Sequence, residues 1–73
     1  MTLVQFFNLI REIYGPRHEA LRLGQHAFNY LYDLYPNVAN AIHGDDNLDP
    51  FNVDSNLDAM LIFILKNYVE DYK

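Results

Sequence analysis

The chain has 73 residues, a net charge of −5 and no cysteine; half of it is apolar, with six Tyr and five Phe. That length allows one domain, residues 1–73, burying only about 60% of its unfolded surface. The composition excludes a disordered chain, the lack of cysteine excludes a disulfide frame or thiolate metal site, and the longest apolar run, Ala59 to Leu65, is far too short to cross a bilayer.

Thr2 followed by Gln5 is a capping-box pattern that predicts a helix start. Leu3, Phe6, Phe7, Ile10, Ile13 and Tyr14 then recur at helical spacing on one face, with Asn8, Arg11 and Glu12 away from it. Gly15-Pro16 ends this helix, and Pro16 suits the first turn of the next.

The second helix is expected from about Arg17 to Leu34, with a start near Arg22 after a longer loop as the competing reading. Ala20, Gly24, Ala27, Phe28, Leu31 and Tyr35 share its apolar stripe, flanked by Leu21, Leu23, Tyr32 and Leu34. His18, Arg22, Gln25, His26, Asn29 and Asp33 collect opposite. Gly24, at the centre of the stripe, costs about 1 kcal/mol of helix propensity relative to alanine. That predicts close approach of another helix or of the turn Asp49-Pro50-Phe51.

Pro36 divides this helix from a short one carrying Val38, Ala39 and Ile42, and Gly44 stands where a left-handed cap is expected. Asp45 to Asp54 reads as a loop with Leu48, Phe51 and Val53 tucked inward. Ser55 followed by Asp58 resembles a second capping box. The last helix places Leu57, Leu61, Ile64, Leu65, Tyr68 and Tyr72 on one face, while Phe63 falls nearly opposite with Ile62 beside it. No alternation of period two is long enough for a strand. The expected fold is all-α: three main helices plus one short helix, packed about Gly24 and Phe28.

The chemistry in this pattern is sparse. Asp45, Asn47 and Asp49 match the first three ligand positions of a calcium-binding helix-loop-helix. Pro50 then replaces the turn glycine and Asn56 the bidentate glutamate, so a capped, solvated turn is the better reading. His18 and His26 lie two turns apart, His43 is alone, and no His-Glu-x-x-His is present. The single serine and single threonine both read as caps, which leaves no ordinary covalent nucleophile. The three glycines are too scattered for a phosphate loop. These features predict no enzyme activity, no cofactor and no metal.

What remains is surface. Residues 27–65 hold six aspartates and no lysine or arginine, whereas residues 1–26 hold three arginines against two glutamates. Such a field disfavours nucleic-acid phosphate, apart from a small patch of Arg11, Arg17 and Arg22, and favours a protein partner with a basic surface. Asp45, Asp46 and Asp49, with the aromatic and apolar Phe63, Ile62 and Tyr30, are the candidate partner-binding residues. The plainer alternatives are solubilising charge, and a Phe63 covered by the first helix or the loop.

At Gly24-Gln25, Phe28-Asn29, Leu31, Pro36, Ala39, Ile42, Gly44 and Asp49-Pro50-Phe51 the chain resembles a group of short, uncharacterised phage and prophage-type proteins. Those share a Gly-Gln-x-x-Phe-Asn helix, a Pro-x-x-Ala-x-x-Ile-x-Gly segment and an Asp-Pro-Phe turn. The likeness spans about residues 22–64; a tryptophan common in their final helix is absent, with Phe63 in that neighbourhood. The resemblance implies a compact helical module of viral or mobile-element origin and brings no catalytic residues; the globular composition without a membrane-length apolar run leads to the expectation of a soluble, cytoplasmic protein, in the host cytoplasm if phage-encoded. The leading expectation is a phage-encoded inhibitor or adaptor of a host or defence protein. The alternative is a homodimer through the C-terminal helix around Ile62 and Phe63.

Overall fold

The computed structural model describes residues 1–16 and 20–72. Among these residues four helices follow in order: α1 (Leu3–Ile13), α2 (Leu23–Leu34), α3 (Pro36–Ile42) and α4 (Leu57–Tyr68), the last preceded by a 3₁₀ turn at Asp54–Asn56. No strand occurs among the described residues, so the architecture is all-α. None of the described helices is long and apolar enough to cross a membrane.

The capping box forms at α1: Thr2 Oγ1 accepts the Gln5 N–H at 3.1 Å and Gln5 Oε1 accepts the Thr2 N–H at 2.8 Å. Beside it, Asp71 Oδ1 takes the Leu3 N–H at 2.6 Å, so an acid from the far end of the chain satisfies another orphan donor of the first turn. The inward face is Phe6, Leu9 and Ile13; Phe7 and Tyr14, placed by periodicity on the buried stripe, are exposed. The apolar residues of α1 span more than half the helix circumference, wider than one packing contact can cover, and the outer edge is left in solvent.

Helix α2 begins at Leu23, not Arg17, so the later start is the correct one; residues 17–19, including the predicted start and His18, lie outside the described set. Arg22 is extended and has no capping side chain of its own. The cap comes from Asp54, whose Oδ1 accepts the Gly24 N–H at 3.1 Å. The stripe Gly24, Ala27, Phe28 and Leu31 is buried as its spacing requires. Tyr35 ends α2 and opens α3, whose Pro36 occupies the first turn, where its missing N–H costs nothing. Val38, Ala39 and Ile42 are buried.

Gly44 has φ +77°, the left-handed cap conformation. Gly24 meets the Asp49-Pro50-Phe51 turn: a Cβ there would overlap the Pro50 carbonyl oxygen and stand 2.7 Å from Asp54 Oδ1. Phe51 then sets its ring edge-on to Phe28, centroids 5.8 Å apart at 84°. Pro50 is fully buried, and Leu48 and Phe51 pack against the core. Val53, expected to tuck inward, is exposed instead; it is extended, and its carbonyl receives the Asn56 N–H that closes the 3₁₀ turn.

That turn replaces the second predicted capping box. Ser55 lies within it, and α4 starts at Leu57 with no side-chain cap, because i→i+3 bonds already satisfy the entering N–H groups. Leu57, Met60 and Ile64 of α4 are buried. The helix stops at Tyr68, so Tyr72 is not on its face but exposed beyond it. Val69 is extended and buried, and the chain turns back to α1, with Glu70 N–H donating to the Met1 carbonyl at 2.9 Å. A radius of gyration of 11.4 Å fits a folded chain of this length, about 11 Å.

Candidate functional site

The loop after α3 is built by its own acids. Asp45 Oδ1 accepts the N–H groups of Asn47 and Leu48 at 2.8 and 3.1 Å, a side-chain mimic of a turn. Asp49 uses both oxygens: Oδ2 takes the Gly44 N–H at 2.7 Å and Oδ1 the Phe51 N–H at 2.9 Å. Asn56 closes the loop from the other side, its Nδ2 donating to the carbonyls of Asp46 and Asp49 at 2.9 and 3.0 Å. Each such bond adds about 1 kcal/mol net, and together they fix the segment between α3 and the 3₁₀ turn, which has no helix of its own.

Between these strands of chain lies a depression of about 150 Å³, lined by Gly44, Asp45, Asp46, Asp49, Asn52, Val53 and Asn56. No lysine or arginine lines it. Asp45 and Asp46 are exposed at its edge, whereas the Asp49 side chain is only 12% exposed and faces the turn. His43 stands 3.7 Å from Asp49 Oδ2 with its ring tilted against Phe28. Arg22 is not among the residues lining the depression; it is tied to Asp54 at 3.2 Å and to the Phe51 carbonyl at 2.5 Å. No group of three or more metal-ligating side chains is assembled among the described residues.

The apolar candidates lie elsewhere. Ile62 is exposed on α4, but Phe63 is half-buried against the core with its ring 5.9 Å from Tyr68. Tyr30 is half-buried on α2 and stacks on His26, whose Nε2 lies 3.2 Å from the Glu12 carbonyl at the end of α1. Burial raises the Tyr30 hydroxyl above its ordinary 10.0, with Glu12 and Tyr35 adding to the effect. Asp45, Asp46 and Asp49 are thus brought together. Ile62, Phe63 and Tyr30 do not line the depression.

Sequence reasoning missed Asn52 and Asn56 as site residues, and missed Asp54 as the cap of α2. Asparagine in a loop gives no signal of which distant carbonyl its amide will reach. The Arg22–Asp54 pair spans thirty-two residues and has no periodicity to betray it.

Fold and loop together define a small all-α domain with an acidic, self-capped turn beside an open depression. Comparison with known protein families, with curated proteins and with solved structures finds no match.

Proposed function

We propose that the protein is a non-enzymatic binding module whose loop face, Asp45 and Asp46 with Asn52 and Asn56, receives a basic side chain of a protein partner. The observation that carries this reading is the cation-free depression edged by two exposed carboxylates. A lysine or arginine placed there would find the Asp45 and Asp46 carboxylates and side-chain amides without displacing an ion pair that either acid makes among the described residues. The scarcity of nucleophiles supports a non-enzymatic role: one serine, one threonine and no cysteine, with the threonine spent on the α1 cap. The resemblance to phage-type proteins supports a viral origin and a host or defence protein as the partner, by analogy only.

The test is affinity capture from host lysate with the parent beside Asp45→Asn/Asp46→Asn. A partner held by the parent and released by the variant, or by salt near 0.5 M, supports the reading; a partner held equally by both sinks it. Asp49 is left intact because its carboxylate holds the turn. The rival, self-association through α4, has less in its favour: Ile62 is exposed, but Phe63 already packs against Tyr68 and the core.

A further inference from the structure

The outer side of α1 is unaccounted for by the loop. Val4, Phe7 and Tyr14 are 67%, 59% and 52% exposed, and Arg11 lies between Phe7 and Tyr14. At about 100° per residue these four fall within about 80° of arc, on the side away from Phe6, Leu9 and Ile13. The guanidinium of Arg11 is held along this side by Asn8 Oδ1 at 2.8 Å. Val4 and Phe7 on α1, with Tyr14 at its C-cap, therefore form one outward apolar stripe rather than scattered single residues.

We propose that this face seats on a second copy of the chain, two α1 helices packing antiparallel about a two-fold axis. The stripe is complementary to its own reverse. Val4 and Tyr14 share Leu9 as their midpoint, and so do Phe7 and Arg11. An antiparallel pair crossing at Leu9 therefore sets Val4 against Tyr14 of the second copy, and Phe7 against Arg11 of the second copy. The crossing makes two Val4–Tyr14 contacts and lays the guanidinium of each copy over the Phe7 ring of the other, the attractive sense of the ring's quadrupole.

Charge points the same way. A two-fold contact puts each patch against itself. Residues 27–65 carry six aspartates and no lysine or arginine, so a loop-to-loop contact repels. Helix α1 carries Arg11 and Glu12 and hence no net charge. Its eleven residues give a seam about 16 Å long, well below a standard interface, so the pairing is weak and concentration-dependent. None of this rests on the partner proposed for the acidic loop.

Sedimentation equilibrium from about 10 µM to about 1 mM is the test, the range in which so small a seam associates. The expected result is a mass rising toward two chains. Phe7→Glu should keep the helical circular dichroism and thermal midpoint while weakening association by about tenfold or more. Ile62→Glu, exposed on α4, should leave association unchanged. Because the native chain has no cysteine, Val4→Cys and Tyr14→Cys chains can be mixed and oxidised; links between positions 4 and 14 should exceed those between like positions. A chain still monomeric at about 1 mM, a dimer lost with Ile62→Glu and kept with Phe7→Glu, or a predominance of like-position links overturns the proposal.

Discussion

Asp54 caps a helix that begins thirty-one residues before it: its Oδ1 accepts the Gly24 N–H at 3.1 Å and pairs with Arg22 at 3.2 Å. One carboxylate thereby joins the start of α2 to the start of α4. A helix cap contributes about 1 kcal/mol, and a half-exposed ion pair less than about 1 kcal/mol. Asp54→Ala should therefore cost about 1–2 kcal/mol, lowering the thermal midpoint by roughly 4–8 °C per kcal/mol in a domain this small. Asp54→Asn keeps an oxygen that can accept and should cost less than half as much. Urea melts of the three chains check the ranking; equal losses for Ala and Asn would mean that the charge matters more than the cap.

Gly24 and Gly44 call for opposite tests. Alanine at Gly24 gains about 1 kcal/mol of helix propensity, but its methyl group lands on the Pro50 carbonyl oxygen, and overpacking of a rigid backbone costs about 1–3 kcal/mol or more. Net destabilisation is expected. Alanine at Gly44 meets nothing within 4 Å and suffers only from φ +77°, about 1 kcal/mol. Restoring helix-start room by shortening Asp54 (Asp54→Ala) should not rescue Gly24→Ala, because the Pro50 oxygen remains. Thermal midpoints of the singles and the double decide it.

Much of this fold was legible because local rules and packing agree. Thr2 with Gln5, the stripe from Gly24 to Leu31, Pro36 and Gly44 each mean one thing in any context, and each holds here. Gly24 signalled a close approach, of another helix or of the Asp49-Pro50-Phe51 turn, and it is the turn that arrives. The failures lie where two solutions satisfy the same residues. The arc of apolar residues on α1 is too broad to say which part turns inward, so Phe7 was misplaced and Leu9 overlooked. Ser55 lost its cap to backbone 3₁₀ bonds, and α4 ended early because Val69 and Glu70 return to Met1. The loop acids were visible as a group, but which of them serve the backbone depends on bonds of two to five residues that composition cannot rank.

Tyr30 gives the chain a specific response to alkali. Burial, then Glu12 and Tyr35, raise its hydroxyl above the ordinary 10.0, so the folded state holds the proton longer than the unfolded state does. Between the unfolded value and the raised folded one, the unfolded chain binds fewer protons, and stability falls as pH rises. Its contribution is intact below pH 10 and lost above it. Urea midpoints from pH 8 to 11 should decline for the parent and decline less for Tyr30→Phe. Parallel curves would assign the alkaline loss to the other tyrosines.

The acids of the loop should separate into two kinds. Asp49 serves two backbone donors at 2.7 and 2.9 Å and is largely turned from solvent. Removing it leaves the Gly44 and Phe51 N–H groups without their acceptor and loosens the Phe51 ring from Phe28; about 1–3 kcal/mol should be lost in Asp49→Ala. Asp46 is exposed and its carboxylate has no partner among the described residues, so Asp46→Ala should change stability by less than about 0.5 kcal/mol. Asp45, which braces two N–H groups while exposed, should fall between. If the loop acts through its charge on a basic partner, binding should follow a different order from stability: Asp46→Ala would weaken binding while sparing the fold. Isothermal titration against the captured partner, run beside the urea melts, compares the two orders. Should binding track stability across all three variants, the acids would be acting by holding the loop's shape, and the depression's charge would have no separate part in recognition.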